Sequence, residues 1–356
     1  MRTVIAGSGS VLPPIVVPNA AFLHHDFRGP DGAPIGKSNE EILAQFEAIT
    51  GIRERRYAGP DQVASDLALE AARQALASSG VDPESLDAIL VGQNFGDVRA
   101  GGNTPDMVPS IAARVKARLG IRNPACGAFD LIFGCPGWVQ GVIQADAMIR
   151  SGQARRVMVI GADTLSRISD PHDRDSLIYA DGAGAVILEG RESEAGILAT
   201  AVRTDAVEGA ALLTMGPSYK AGAFPGDLFI KMEGRKLYRY ALNQVPAAMK
   251  AALDRAGVGL KEVSKILIHQ ANWKMDEAIV DALYAAEGLP TPPDIMPMTI
   301  GWLGNSSVAT VPTLYDLMVK GRLEGQALRP GDLILFASVG AGMHINAVVY
   351  RVPENR

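Results

Sequence analysis

Cysteine, basic charge and long apolar runs are what this chain has least of, and each shortage removes a class of function. Among 356 residues there are two cysteines, Cys126 and Cys135, too few for a disulfide framework, so a reducing, cytoplasmic setting is expected. Lysine and arginine total 34 against 39 acidic residues; the net charge of −5 offers no general field for nucleic acid. No apolar run reaches the ~20 residues of a membrane span, and the opening Met1-Arg-Thr-Val-Ile-Ala-Gly7 reads at once as a strand rather than a secretory segment. Neither membrane nor nucleic acid is expected as a partner. Histidines number only five, and neither Cys135 nor His269 has neighbouring ligands at zinc-like spacing, so no metal is expected. What remains is a composition that folds well, 47% hydrophobic and 21% charged, long enough for two domains or two fused halves.

The most informative stretch is Gly127-Ala-Phe-Asp-Leu-Ile-Phe-Gly-Cys-Pro-Gly-Trp-Val-Gln140. Phe129 to Phe133 reads as a buried strand, Trp138 to about Arg150 as an apolar helix, and Gly134-Cys135-Pro136 as the elbow between them. Proline is pre-set for the first helical turn, which makes Cys135 the expected N-cap. A thiol there feels the positive end of the helix dipole, which favours thiolate. A small buried hydrophobe is the plainer reading of the same residue; Cys126, with no helix start beside it, is read as structural.

Around the elbow, strands and helices alternate. A helix over Asn39–Thr50 opens on Ser38 with first-turn acids, an amphipathic helix over Asp61–Ser79 stops at Gly80, and apolar strands cover Asp87–Gln93, Arg155–Gly161 and Gly184–Glu189. This order implies an α/β fold with crossover connections. The pattern then repeats. Ala71–Val81 resembles Ala248–Val258, and each runs into a strand, with Gly80 and Gly257, and Gln93 and Gln270, at one constant offset of 177 residues. Gly134-Cys135 and Gly304-Asn305 also each precede an apolar helix and then a strand. Two α/β halves about a pseudo-dyad are expected, 1–192 carrying Cys135 and 193–356 carrying His269 and Asn305. Equivalent helix starts would face each other near the dyad and bring Cys135 toward Asn305, with His269 just past a buried strand.

A thiolate, an imidazole and a carboxamide in one pocket suit acyl transfer and enolate chemistry. Glycine amides in Ser338-Val-Gly-Ala-Gly342 offer an oxyanion hole. Taken singly, His269 also fits a satisfied core histidine and Asn305 a plain N-cap.

The motifs taken together resemble the β-ketoacyl-acyl-carrier-protein synthase III family of the thiolase superfamily along the whole chain. They are Thr50-Gly-Ile-Arg-Glu-Arg55, Ala128-Phe-Asp130 leading to Cys135, Asp170-Pro-His-Asp-Arg174, Asp181-Gly-Ala-Gly184, His269-Gln-Ala-Asn272, Gly304-Asn-Ser-Ser307 and Ala337-Ser-Val-Gly-Ala-Gly342. The resemblance implies a five-layered α-β-α-β-α thiolase fold, a homodimer, and a triad of Cys135, His269 and Asn305. It further implies an oxyanion hole from the amides of Cys135 and Gly342, a pantetheine channel near Gly234 and Asn272, and no cofactor beyond the thioester substrates. Acyl carrier protein is the implied partner, with Arg239 and Lys274 where the family presents basic docking residues; Asp276, Glu277 and Asp281 on the same helix work against that docking.

This sequence also departs from the family. The adenine-stacking tryptophan is replaced by Gln45 and the arginine expected one residue before Thr50 by Ile49, so Arg174 is left as half of a coenzyme A clamp. Val108 stands where some relatives place an aromatic ring across the dimer, which leaves room for a longer or branched acyl chain. These features also resemble specialised members that join two acyl units into cyclohexanedione precursors of dialkylresorcinols. Two further readings stand beside condensation: a non-catalytic partner subunit of a ketosynthase complex, and an acyltransferase to oxygen or nitrogen.

Overall fold

The structure is a computed structural model and describes residues 1–354. Nine principal strands form two sheets. The first contains β1 (Arg2–Val11), β2 (Ala88–Gln93), β3 (Gly127–Ile132), β4 (Arg156–Thr164) and β5 (Asp181–Arg191), in the order β1-β5-β4-β2-β3. The second contains β6 (Gly196–Thr204), β7 (Val263–Ile268), β8 (Leu333–Gly340) and β9 (His344–Arg351), in the order β6-β9-β8-β7. The two orders match strand for strand: β2 pairs parallel with β4 as β7 does with β8, while β5 and β9 run antiparallel to their neighbours. Where the first sheet has β3, the second has a single backbone bond from Ile266 N–H to the Ile295 carbonyl at 2.8 Å.

Among the described residues, seven helices of nine residues or more complete the layers: α1 (Asn39–Thr50), α2 (Ala64–Ser79), α3 (Ile111–Leu119), α4 (Gly137–Arg150), α5 (Gly234–Ala256), α6 (Trp273–Ala286) and α7 (Thr310–Val319). Their apolar faces decide where each goes. In α4, Trp138, Val139, Val142, Ala145 and Ile149 are buried, and in α7 Val311, Leu314, Tyr315 and Met318. They pack between Leu90, Val157, Val159 and Val186 of the first sheet and Leu267, Ile334, Phe336 and Val348 of the second. α7 is buried along Thr310–Met318, and α4 is mostly apolar with Gln144, Ala147 and Arg150 left exposed, as suits helices sandwiched between two sheets. One-sided α2 and α3 cover the outer face of the first sheet. Likewise α5 and α6 cover the second. Five layers, α-β-α-β-α, result.

Local signals act as their chemistry dictates. Ser38 and Glu41 close a capping box at α1, while Gly51, Gly80, Gly120 and Gly257 end α1, α2, α3 and α5 in the left-handed conformation. One expectation is corrected. The apolar run at β3 is an edge strand, with Phe129 39% and Ile132 64% exposed. Hydrophobicity alone does not distinguish a strand buried within its own chain from one whose apolar face lies open at a sheet edge.

Candidate active site

Strand β3 delivers the chain to Phe133, and the elbow follows. Gly134 has φ +66°, and a Cβ there would lie 2.8 Å from the amide nitrogen of Ala341. Glycine is therefore required twice over, by conformation and by space. Opposite it, a Cβ on Gly340 would lie 2.6 Å from the amide nitrogen of Cys135. The segment that bears Gly342 is thus held against the nucleophile elbow backbone to backbone.

The helix starts one residue later than the sequence suggests. Gly137 N–H donates to the Gly134 carbonyl at 3.0 Å, and the Pro136 carbonyl accepts the first helical bond, from Gln140 N–H at 2.8 Å. Pro136 is therefore the N-cap, and Cys135 precedes it. Cys135 is partly exposed as a residue but densely surrounded. Burial pushes its thiol up to about 11; a hydrogen bond from Ser307 works against that rise, and the nearby Asp163 adds to it. The resting group is a thiol, so the dipole preference for thiolate is outweighed by desolvation.

His269 follows β7 directly, and its N–H continues the parallel ladder to the Ala337 carbonyl at 2.9 Å. It is 3% exposed. Burial lowers its pKa to about 4, opposed by contact with the backbone of Ser307. The imidazole is therefore neutral at physiological pH, and its Nδ1 is buried without a hydrogen-bond partner. A neutral imidazole can donate to a developing oxyanion without first losing a proton.

Asn305 is held by backbone on both sides. Its N–H donates to the Ile178 carbonyl at 2.9 Å, and its carbonyl accepts from Ala180 N–H at 2.8 Å. The side-chain Oδ1 accepts from Ser307 N–H at 2.8 Å, which leaves Nδ2 as the donor directed elsewhere. Asn305 does not open a helix directly: a 3-10 turn, Ser307–Ala309, intervenes before α7.

Ser307 joins the three expected residues. Its amide holds Asn305, its backbone meets His269, and its hydroxyl donates to Cys135 Sγ at 3.5 Å. The residue has φ +55°, an uncommon conformation for serine. Behind it, Asn94 Nδ2 donates to Ser307 Oγ at 3.0 Å, and Asn94 binds Asp163 through its N–H at 2.9 Å and its Nδ2 at 2.7 Å. Burial pushes Asp163 up to about 7. Sequence reading missed this column. Ser307 sits inside a quoted motif, but nothing in its residue type separates it from ordinary capping serines.

The other expected residues lie apart from this cluster. Arg174 is exposed and 3.8 Å from its neighbour Asp175. Gly234 is the first residue of α5, and Asn272 caps α6, its Oδ1 accepting from Met275 N–H at 3.0 Å. Trp273, just after Asn272, is 40% exposed and packs beside Gly51. Val108 is 84% exposed. Arg239 and Lys274 are both exposed. Asp276 is corrected: it is fully buried, its carboxyl pushed well above the usual range by desolvation, so the exposed acids of α6 near Lys274 are Glu277 and Asp281. Among the described residues no cluster of histidine, cysteine and carboxylates is arranged to hold a metal.

Fold and site define a class: a five-layered enzyme with a cysteine at a helix start beneath a glycine loop. Residues 129–206 match the model of 3-oxoacyl-[acyl-carrier-protein] synthase III, and residues 253–352 match its C-terminal model. The β-ketoacyl-[acyl-carrier-protein] synthase III of Cereibacter sphaeroides is 35% identical over 99% of both chains, and that of Erythrobacter litoralis is likewise 35% identical over 99% of both. Among solved structures, the 3-oxoacyl-(acyl carrier protein) synthase III of Pseudomonas aeruginosa superposes with TM-score 0.81 at 29% identity, covering 99% of each chain. The priming β-ketosynthase of the R1128 polyketide pathway gives TM-score 0.82 at 27% identity, covering 100% of this chain and 97% of that one. The chain belongs to the β-ketoacyl-acyl-carrier-protein synthase III family, and it is a condensing acyltransferase of the thiolase fold.

Proposed function

We propose that Cys135 is the acylated nucleophile and that His269 and Asn305 stabilise the enolate of the second substrate. The observation that carries this is Ser307, one residue that contacts all three. In the first half-reaction Cys135 Sγ adds to a thioester carbonyl, the amides of Cys135 and Gly342 receive the oxyanion, and the donor thiol leaves. In the second, a malonyl thioester on acyl carrier protein loses carbon dioxide. The neutral His269 and the Asn305 carboxamide hold the resulting enolate oxygen while its carbon attacks the acyl-enzyme and releases the Cys135 sulfur. A β-ketoacyl thioester condenses in the same pocket without decarboxylation: its α-proton, acidified by two carbonyls, passes to the neutral His269 imidazole and then to the Cys135 sulfur released on attack. No metal or cofactor beyond the thioesters enters these steps. The pantetheine arm is assigned to the path past Gly234 and Asn272, and Arg239 and Lys274, both exposed, to carrier-protein docking.

The chain divides between β5 and β6 into halves 1–192 and 193–356, a reading supported by the matching strand orders. A cytoplasmic homodimer is the working form; the support is the edge strand β3, whose exposed Phe129 and Ile132 lie beside α3. Asp130 of β3 holds the start of α3 by accepting from the Ile111 and Ala112 amides, both at 2.8 Å, close to exposed Val108. An open edge carrying apolar side chains is the surface a second copy covers.

The test separates the half-reactions. His269→Ala and Asn305→Asp should still acylate Cys135 while carbon dioxide release from malonyl carrier protein falls by orders of magnitude. Equal loss of loading and decarboxylation would refute the division of roles. Acyl transfer to an oxygen or nitrogen acceptor without carbon dioxide release would refute decarboxylative condensation.

A further inference from the structure

We infer that the Ser307 hydroxyl is a catalytic hydrogen-bond donor to the Cys135 thiolate, aimed at the sulfur by Asn94 and Asp163. The inference rests on Cys135 being the nucleophile. It begins from the polarity of the column behind the site. Both oxygens of the Asp163 carboxyl act as acceptors, one for the Asn94 N–H and one for an Nδ2 proton. The Asn94 carboxamide nitrogen only donates, so its contact with Ser307 Oγ at 3.0 Å fills a serine lone pair. The serine hydroxyl then has one proton to give and two acceptors in reach, the Asp163 carboxylate and Cys135 Sγ at 3.5 Å; with each Asp163 oxygen already holding an Asn94 N–H, the proton goes to the sulfur. Direction is thus passed from the carboxylate to the sulfur without a charge moving.

The groups facing Cys135 make such a donor necessary. Asp163 comes from the end of β4, Tyr179 from the turn before β5, and His269 from beyond β7. Asp163 opposes a thiolate, burial holds Tyr179 as a neutral phenol, and His269 is neutral there. The backbone of Cys135 itself, the α4 N-terminus and the serine hydroxyl stabilise it, and the hydroxyl is the one side chain among them. The positive φ of Ser307 has a place in the same account. It turns the serine amide to Asn305 Oδ1 while its side chain points at the sulfur, so the residue serves both halves of the site in a conformation that is strained for a side-chain-bearing residue. Ionisation releases the thiol proton to water; no group in the column needs to take it up. Ser307 touches the reacting atom, whereas Asn94 and Asp163 act through it as positioning residues.

The test reads Cys135 ionisation directly and needs no thioester. The rate of iodoacetamide alkylation, mapped to the Cys135 peptide by mass spectrometry, is followed against pH in the native protein, Ser307→Ala, Ser307→Gly and Asn94→Ala. Removing a hydrogen bond to a charged group should raise the apparent pKa of alkylation by roughly one unit or more, a roughly tenfold slower reaction at neutral pH, with the rate at high pH retained. Alanine is strained at a positive φ and glycine is not, so the two serine variants separate the hydroxyl from the backbone. Both should shift alike, and Asn94→Ala should shift in the same direction by less. A Ser307→Gly profile that overlays the native one, or a shift in Ser307→Ala alone, overturns the inference. The outcome is distinct from that of the condensation reading. Shifted alkylation with no acyl donor loading Cys135 would sink condensation and leave the hydrogen bond standing. Normal condensation with unshifted alkylation would remove the hydrogen bond alone.

Discussion

Gly340→Ala probes the oxyanion geometry without replacing a side chain of the proposed triad. Gly340 has φ −169°, ordinary extended backbone that alanine adopts without strain, so the substitution acts through space alone. The added methyl would lie 2.6 Å from the Cys135 amide nitrogen, 2.7 Å from Pro136 Cδ and 3.1 Å from Cys135 Cβ. Carbon and nitrogen settle near 3.5 Å, so the glycine segment must retreat by roughly 1 Å or tilt. The atoms opposing it belong to the elbow backbone and to a proline ring, which cannot swing away as a flexible side chain would. Overpacking of this kind costs about 1–3 kcal/mol of stability, which a chain of this size can tolerate. For catalysis a shift of that size matters more. It takes the Gly342 amide out of reach of the position where the oxyanion forms, and losing one such donor costs roughly 100-fold to 1,000-fold in rate. Alkylation of Cys135 by iodoacetamide forms no oxyanion and serves as the internal control. Single-turnover acylation by an acyl thioester should fall by about two orders of magnitude or more, while alkylation changes less than about threefold. Equal losses in both rates, or no loss in either, would refute the argument that this loop supplies the oxyanion hole.

Further outcomes follow from the same structure. Ile132→Asp, at an exposed position on the edge strand, should shift the proposed dimer to monomer in analytical ultracentrifugation; a sedimentation coefficient equal to that of the unsubstituted protein would contradict this interface. Asp276 keeps its proton in the fold while the unfolded chain loses it, so above the ordinary carboxyl pKa it costs the fold stability as pH rises. Asp276→Leu should therefore raise the melting temperature more at pH 8 than at pH 5, and equal gains would contradict the burial argument. His269 has the opposite sign: its folded pKa is depressed to about 4, so the stability of its neutral form is full above the unfolded value and is lost as pH falls through that window. Relative to His269→Gln, the native protein should lose up to about 3 kcal/mol between pH 7 and pH 4 in denaturant titrations, a difference that cancels the carboxylates common to both. A pH-independent difference would mean that the imidazole is not buried neutral.

Layer order was largely legible in the sequence because apolar helices and strands have distinct periods. α7 lacks a polar face and α4 is mostly apolar, as helices between sheets are, and the echo between Gly80 and Gly257 anticipated the matching strand orders. Less legible was whatever depends on a partner in space. The β3 run has the composition of a core strand, and only the sheet order makes it an edge. Asp276 was read with the surface charge of α6, but its side chain points inward. Arg55, in a motif used to recognise the family, is a buried structural arginine: its guanidinium donates to the carbonyls of Leu177 and Val17 and to Asn19 Oδ1, with no exposure to solvent. Cys135, His269 and Asn305 could be singled out because each follows a recognisable break in the pattern. Asn94, Asp163 and Ser307 could not, since a polar column beneath a nucleophile leaves no periodic trace and its members come from three separate segments.

The central claim is that Cys135 carries the acyl group between the two thioesters. The direct measurement is intact-protein and peptide mass spectrometry after exposure to a panel of acyl-coenzyme A and acyl-carrier-protein donors. The account predicts one acyl increment per chain, confined to the Cys135 peptide, absent from Cys135→Ala and discharged when malonyl carrier protein is added. An increment that persists in Cys135→Ala, or no increment from any donor in a protein that still condenses, would contradict it.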